Sequence, residues 1–212
     1  MGRRARAVED IEAYRDRIVE VATGLFAERG YAGVTFRSLA ERLGCSAMTP
    51  YRYFSNKEEI FAAVRRRAYD DFARAQDSAA APTGDPRERL ESIGRAYIRF
   101  GVEQTDAYRL MFSLEQPNPS TYQDLRSAES RAWKPLHDAI CEAIDAGVLA
   151  GEPDVLANVF GIGVHGLVSL HVAGKLVYGP DVERLIEPML RTLFAGNKPQ
   201  ALGSSNHAGE RT

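Results

Sequence analysis

The fold is decided by the stretch Thr35–Lys57, which reads TFRSLAERLGCSAMTPYRYFSNK. Thr35 suits the N-cap of a first helix, because its hydroxyl can accept a backbone N–H that the opening turn leaves unpaired. Apolar residues then recur at helical spacing until Gly44, which suits the left-handed residue that ends a helix. Ser46 can cap a second helix over 46–53. Two short helices joined by a tight turn form a helix-turn-helix, whose second helix enters the major groove of DNA.

The second helix contains a proline. Eight residues give a helix about 12 Å long, which fits a major groove. Pro50 has no N–H, so it cannot make an intrahelical hydrogen bond at that position. Either a helix that begins one turn later or a 3₁₀ opening turn accommodates it.

The side chains of this segment suit contacts with DNA. Ala47 and Met48 are apolar and can meet thymine methyl groups. Hydroxyls and the Lys57 ammonium can hold phosphates, and Arg37 can bind a phosphate or a base edge. A role for Tyr51 in the core is the alternative. The predicted DNA-binding residues are Thr35, Arg37, Ser46, Ala47, Met48, Thr49, Tyr51, Arg52, Tyr53 and Lys57.

Charge is distributed unevenly along the chain of 212 residues, whose net charge is −2. Residues 1–67 hold 13 Lys/Arg and 9 Asp/Glu, whereas the remainder holds 14 and 20. A basic head on an acidic body suits binding to nucleic acid. The two cysteines form no disulfide framework or metal-ligand spacing, and the N-terminus lacks the apolar region of a signal peptide. We therefore expect a cytoplasmic protein.

The remaining sequence predicts further helices and no strand of any length. Apolar residues at helical spacing place helices over 11–29, 56–77, 85–105, 108–114, 121–146, 154–178 and 181–195. Ser55 with Glu58, Asp85 and Asp181 supply helix caps. The predicted fold is all-α with about nine helices. The predicted DNA-binding domain covers residues 1–57 and is followed by a connecting helix over 56–77. A ligand-binding and dimerisation domain covers 78–195 and begins with a linker at 78–84. The tail over 196–212 is predicted to be disordered.

Residues 155–174 carry no charge over 20 positions, which is long enough to span a bilayer. Asn158, Ser169 and two histidines within the stretch would be costly to insert. A membrane-associated helical protein is therefore one alternative. A helix buried by its own domain on one side and by a second subunit on the other is the interpretation that we favour.

Signals for catalysis or cofactor binding are weak. Residues 161–166 match G-x-G-x-x-G, but a nucleotide site needs a strand before that string, and here it lies within a helical run. His137 and Cys141 share a helix face and could contribute to a metal site, although a pair buried in the core is the simpler interpretation. No catalytic arrangement of side chains emerges, so we expect no enzyme and no cofactor. A small-molecule enzyme or carrier with an all-α cavity remains the competing class.

One set of motifs resembles a known family. The N-terminal part of the chain is similar to the DNA-binding head of the tetracycline-repressor (TetR) family. The residues that carry the resemblance are LFAERGY ending at Tyr31, Val34-Thr35, Leu39-Ala40, Gly44, Ser46 and the run YRYFSNK ending at Lys57. The resemblance covers about 50 residues. Met48 and Pro50 replace a glycine and a leucine common there, and Tyr53 replaces a common histidine, which affects the expected base preference.

The resemblance implies a homodimer formed by the helices at about 154–178 and 181–195, which presents two heads to successive major-groove faces, roughly 34–36 Å apart, of a palindromic operator. It also implies a cavity for a small-molecule effector, mostly apolar, whose binding releases the DNA. We expect no membrane partner. The residues predicted to line this cavity are Tyr97, Phe100, Met111, Phe112, Trp133, His137, Cys141, Phe160 and His165.

Overall fold

The computed structural model describes residues 2–80, 84–112 and 121–198, with side chains described from Glu9 onward. All regular secondary structure within these residues is helical, and they contain no strand. The helices are α1 (Gly2–Arg29), α2 (Phe36–Leu43), α3 (Lys57–Ala80), α4 (Pro86–Glu103), α5 (Thr105–Phe112), α6 (Gln123–Asp145), α7 (Pro153–Val172) and α8 (Val182–Gly196), and a 3₁₀ segment at Pro50–Arg52 lies between α2 and α3. The all-α fold class predicted from the sequence is confirmed.

The N-terminal head is built on one apolar core. Side chains of α1, α2, the 3₁₀ segment and the first turns of α3 enclose it. Phe26 of α1 packs edge-to-face against Phe61 of α3, with 4.8 Å between the ring centroids. Leu110 of α5 also enters this core, so the head is packed directly against the helices that follow.

The body is a bundle in which α3 continues from the head. α3 packs along α4 and α6, and α7 packs against α4, α6 and α8. α7 is long and apolar enough to cross a membrane by length and composition, but core helices of soluble proteins pass the same test. One face of α7 is buried in the bundle, as the preferred interpretation of residues 155–174 requires.

Three helix caps predicted from the sequence are confirmed. The Thr35 hydroxyl accepts the Ser38 N–H at 3.1 Å, and Ser38 in turn accepts the Thr35 N–H. The Asp85 carboxylate accepts the Arg87 N–H at 2.8 Å. The Asp181 carboxylate accepts the Arg184 N–H at 3.0 Å. These side chains satisfy donors that the first helical turn leaves unpaired, and they fix the starts of α2, α4 and α8.

Residues 46–53 do not form the predicted α-helix, and this accounts for the eight α-helices described where nine were expected; the 3₁₀ turn offered from the sequence as one way to accommodate Pro50 is present. The N–H of Thr49 bonds the carbonyl of Ser46, and the N–H of Arg52 bonds that of Thr49, so both bonds span three residues as in a 3₁₀-helix. Pro50 has no N–H with which to reach Ser46 four residues back. The recognition segment is therefore a turn followed by the 3₁₀ segment Pro50–Arg52.

The start of α3 differs from the predicted capping box. Asn56, rather than Ser55, provides the cap, because its side-chain oxygen accepts the Glu59 N–H at 2.8 Å. The Glu59 carboxylate accepts the Ser55 N–H at 2.7 Å, so Glu59 replaces Glu58 in this role. At its other end α3 continues through Ala80, into the predicted linker at 78–84. Alanine is a strong helix former, and the first helix-breaking residue is Pro82, in the stretch 81–83 that lies outside the described residues.

Other helix ends also differ from the prediction. α7 ends at Val172 rather than near residue 178, because Gly174 adopts a positive φ of 63° and reverses the chain. α1 begins at Gly2 rather than at residue 11. α8 includes Gly196, the first residue of the predicted disordered tail, and the tail from residue 199 onward lies outside the described residues.

The glycines of the G-x-G-x-x-G string lie inside α7, with no strand before them, so the nucleotide-site pattern lacks its structural context. Gly161 faces Leu136 and Trp133, and a Cβ atom at that position would lie 3.7 Å and 3.8 Å from them. A Cβ at Gly163 would lie 3.1 Å from Leu193 of α8. At these two positions, small residues let α7 approach α6 and α8 closely.

Candidate DNA interface and effector cavity

The turn between α2 and the 3₁₀ segment carries exposed side chains. Ser46, Ala47 and Met48 are consecutive and exposed, and Met48 is 68% exposed. Arg52 is exposed two residues after the buried Pro50. An apolar side chain so exposed, with a cation near it, is available to a groove of DNA. Thr49 is partly buried, and Thr35 and Arg37 are exposed at the start of α2.

Tyr51 combines the two roles that the sequence left open. Its ring stacks on Phe36 of α2, with 4.0 Å between centroids and 12° between the planes. The side chain is nevertheless 51% exposed. The stack fixes the direction of the ring, and its exposed edge remains able to meet a phosphate.

Tyr53 and Lys57 connect the end of the recognition segment to the core of the head. The Tyr53 ring stacks on Tyr14 of α1 at 4.7 Å, and its carbonyl accepts a hydrogen bond from Arg15. The Lys57 ammonium donates to the Tyr31 carbonyl at 2.9 Å and lies 4.2 Å from the centre of the Tyr31 ring. Both side chains are partly buried. Their contact with DNA stays a prediction, and a substitution at either position would also loosen the head.

Arg37 is paired within α2. Its Nε donates to the Glu41 carboxylate at 3.1 Å, and both side chains are largely exposed. Exposed pairs of this kind contribute only about 0–1 kcal/mol to stability. The pair therefore costs little to open, and Arg37 remains available to a phosphate.

A cavity of about 280 Å³ lies in the body and is lined mainly by apolar side chains. Helices α3, α4, α5, α6 and α7 all contribute to its wall, and four of the predicted residues do so: Tyr97, Phe112, Trp133 and His165. Tyr69, Phe72 and Gln76 of α3 also line it, and none of these three was predicted from the sequence as a cavity residue. Their spacing of three and four residues marks one helix face, which the sequence pattern indicates only as the packing face of a connecting helix.

The other five predicted residues lie elsewhere. Phe100 packs against Phe72 in the core at 5.1 Å, and the buried Met111 packs in the same cluster. Phe160 packs edge-to-face against Phe194 at 5.3 Å. Aromatic and sulfur side chains at helical spacing fill cores as readily as they line cavities, and sequence alone does not separate these uses.

His137 and Cys141 form a local pair outside the cavity lining. The Cys141 Sγ lies 3.8 Å from the His137 Nδ1, and the His137 Nε2 lies 3.2 Å from a carboxylate oxygen of Asp154 on α7. No group of three or more metal-ligating side chains occurs among the residues that the structure describes. His137 thus joins α6 to the start of α7.

His165 is the centre of the polar network beside the cavity. The Tyr108 hydroxyl lies 2.6 Å from its Nδ1, the Tyr97 hydroxyl lies 3.2 Å from the same atom, and the Ser169 hydroxyl lies 3.1 Å from its Nε2. Burial lowers the pKa of His165 below its ordinary value, so the ring is neutral at pH 7. Burial also raises the pKa of Tyr97, which keeps that hydroxyl protonated.

A larger cleft of about 490 Å³ lies between the head and the N-terminal end of α6. Its lining includes Arg15, Glu59 and Arg66. Arg15 pairs with Glu59 at 3.2 Å, and Arg66 pairs with Asp70 at 3.5 Å. Because these charges already neutralise one another, the cleft suits a small-molecule ligand less well than the apolar cavity does.

Comparisons with known proteins find family models that match two separate parts of the chain. Residues 18–64 match the family model described as bacterial regulatory proteins, tetR family, and residues 90–193 match the model described as tetracyclin repressor-like, C-terminal domain. The chain is 28% identical over 159 residues to the transcriptional repressor KstR2 of Mycobacterium tuberculosis, which covers 71% of this chain and 76% of that protein.

Two further similar proteins match different shares of the chain. The chain is 32% identical over 98 residues to the transcriptional activator FasR of Mycolicibacterium smegmatis, a match that covers 46% of this chain and 45% of FasR, so the matched part spans less than half of that protein. The crystal structure of the TetR family regulator PfmR from Thermus thermophilus superposes with a TM-score of 0.68 at 21% identity, covering 87% of this chain and all of that one.

Proposed function

Because the chain belongs to the tetracycline-repressor family of DNA-binding transcriptional regulators, we propose that it is a cytoplasmic repressor that binds a palindromic operator as a homodimer. A small, mostly apolar effector enters the 280 Å³ cavity and releases the DNA. One observation carries the proposal. α3 begins at Lys57, directly after the recognition segment, and its later residues Tyr69, Phe72 and Gln76 form part of the cavity wall.

α5 provides a second connection between cavity and head. Leu110 packs in the core of the head, and Phe112, two residues later, lines the cavity and lies 4.5 Å from the His165 ring. An effector that shifts Phe112 therefore acts on the packing between α5 and α1. The effector releases DNA only if it binds the DNA-incompetent arrangement of heads more tightly than the competent one.

The proposed dimer interface lies on the outer face of α7. Val155, Val159, Ile162 and Leu170 are each at least 40% exposed, and they lie on one stripe of the helix. Gly166 lies between Ile162 and Leu170 on this stripe, and a Cβ atom there would meet no atom within 4 Å, so a second helix can approach closely. We retain the predicted division into a DNA-binding domain over 1–57 and a ligand-binding and dimerisation domain over 78–195.

Binding to DNA and its release can be measured separately. A duplex selected from a random library is labelled and titrated with the full chain at 50 mM and 200 mM salt. If the protein makes about four phosphate contacts, its affinity should fall roughly a hundredfold between these salt concentrations. Each contact releases a counterion from the DNA, and that release favours binding less at high salt. A library of small apolar compounds is then tested for release of the duplex. Binding that is absent, or that does not change with salt, would refute the proposal.

Two side chains of the recognition segment should affect DNA binding differently. We expect Met48→Ala to change the ranking of operator variants, since it removes an apolar contact to the bases. We expect Arg52→Ala to weaken binding to all sequences by a similar factor and to reduce the salt dependence, since it removes a cation. Titration of a panel of single-base operator variants distinguishes the two effects. An unchanged ranking for Met48→Ala would contradict its assignment to base contact.

A further inference from the structure

The wall of the cavity contains one carboxylate. Glu129 of α6 lines the cavity, and its side chain is 30% exposed. Its Oε1 accepts a hydrogen bond from the Arg65 Nη2 at 3.1 Å. The same Nη2 lies 3.3 Å from the Met111 carbonyl, so Glu129 is held in a fixed direction by a buried guanidinium. A carboxylate fixed in this way is a preorganised hydrogen-bond acceptor.

The partner cation does not face the cavity. The Arg65 side chain is 5% exposed and is absent from the cavity lining, so the carboxylate lies between the cavity and the guanidinium. His165, the side chain of the lining that becomes a cation on protonation, is neutral at pH 7 because burial lowers its pKa. Within the described part of the lining, the carboxylate of Glu129 is thus the one charge that a ligand meets.

Part of the donor capacity of the lining is already used within the protein. The Gln76 amide donates to the Ala132 carbonyl at 3.0 Å, and the Asn158 amide donates to the Asp154 carbonyl at 2.8 Å. The Tyr97 and Tyr108 hydroxyls both lie within hydrogen-bond distance of the His165 Nδ1, and the Ser169 hydroxyl lies 3.1 Å from Nε2. Glu129 is therefore the one charged acceptor among the polar groups of the described lining.

We propose that the effector is an apolar molecule whose polar end donates a hydrogen bond to Glu129, as an ammonium or hydroxyl group does, and that the cavity discriminates against carboxylates. A carboxylate would face Glu129 without a cation in the lining to compensate it, and two like charges at close range repel each other. This inference rests on the proposed function only in taking the cavity as the effector site.

Three probes that share one apolar chain test the proposal: octylammonium, 1-octanol and octanoate. Trp133, the single tryptophan of the chain, lines the cavity, so quenching of its fluorescence reports binding directly. We expect octylammonium and 1-octanol to bind the full chain at least about tenfold more tightly than octanoate, which is the scale of one charge-assisted hydrogen bond. Equal or tighter binding of octanoate, or no saturable binding of any probe, would overturn the proposal.

Glu129→Gln then tests the residue itself. Removing the charge should strengthen octanoate binding and weaken octylammonium binding, each by about tenfold, because the repulsion and the attraction both disappear. Glu142→Gln is the matched control, since Glu142 lies on the same helix and pairs with Arg89 at 2.8 Å outside the cavity. It should leave the ranking of the probes unchanged. A ranking that persists in Glu129→Gln would refute the role of Glu129.

Glu129→Gln leaves the buried Arg65 without its carboxylate, and this can unfold the chain. The double variant Arg65→Met/Glu129→Gln removes both charges and should show the same loss of discrimination between the probes. Release of DNA is not read in either assay. A chain that ranks the probes as expected but is never released from its operator would therefore refute the proposed function and leave the ligand class standing.

Discussion

Val159→Glu is expected to convert the proposed homodimer into monomers and to weaken binding to a full palindromic operator by about 10²–10⁴-fold. Val159 is 40% exposed on the apolar stripe of α7 and is not part of the cavity lining. In a symmetric dimer each substitution occurs twice, so two carboxylates would be buried without partners in one apolar interface. Sedimentation velocity measures the oligomeric state, and titration of a labelled duplex measures operator affinity.

Two comparisons make this prediction specific. Val159→Ala keeps the surface apolar and should remain dimeric, so charge rather than lost volume is being tested. A duplex with a single half-site should bind Val159→Glu and the parent chain with the same affinity, because each head is unchanged. A Val159→Glu chain that remains dimeric at micromolar concentration would show that this stripe is not the interface.

The sequence predicted the fold class because its main signals are local. Thr35, Asp85 and Asp181 each precede an apolar pattern of helical period, and each forms a cap. Capping depends on residues within one turn, so neighbouring elements do not alter it. The exact cap of α3 depended on a choice between adjacent polar residues, Ser55 and Asn56, and composition does not decide between them.

The recognition segment was only partly predictable from local sequence, which left open a later α-helix and a 3₁₀ turn. Pro50 interrupts the hydrogen bonding of a helix, yet the helix-turn-helix pattern favours a full helix over 46–53. In the structure the ring of Tyr51 stacks on Phe36 and that of Tyr53 on Tyr14, so contacts to α2 and α1 stabilise a 3₁₀ segment that is weak by itself. Such contacts join residues about 15 and 40 positions apart, and no local pattern reveals them.

Only some of the residues that line the cavity could be predicted from the sequence, because the lining also depends on contacts between distant helices. Aromatic residues on α4 to α7 are candidates by type, but the sequence pattern of α3 is that of a connecting helix. Glu129 is not a candidate from the sequence, because a charged residue on an amphipathic helix is usually solvated. Its position beside Arg65, 64 residues earlier in the chain, is a tertiary fact.

Gly101→Ala is expected to lower the stability of the body by about 1–3 kcal/mol, the usual cost of overpacking a core. A Cβ atom at this position would lie 2.3 Å from the Val168 Cγ1 and 3.2 Å from the Tyr108 ring. Valine is β-branched and cannot rotate away freely, so α4 and α7 must separate. For a chain of this length, we expect thermal unfolding to show a decrease in the midpoint of roughly 2–10 °C.

Gly94→Ala on the same helix is the matched control for that change. Its new methyl group would meet the Leu190 Cδ2 at 2.6 Å, which is the far end of a flexible side chain that can move aside. Both substitutions gain about 1 kcal/mol of helix propensity, so the difference between them isolates the packing term. Because Tyr108 also contacts His165, Gly101→Ala should in addition weaken octylammonium and 1-octanol binding, whereas Gly94→Ala should not. If Gly101→Ala were as stable as Gly94→Ala, the close approach of α4 to α7 at Val168 would be disproved.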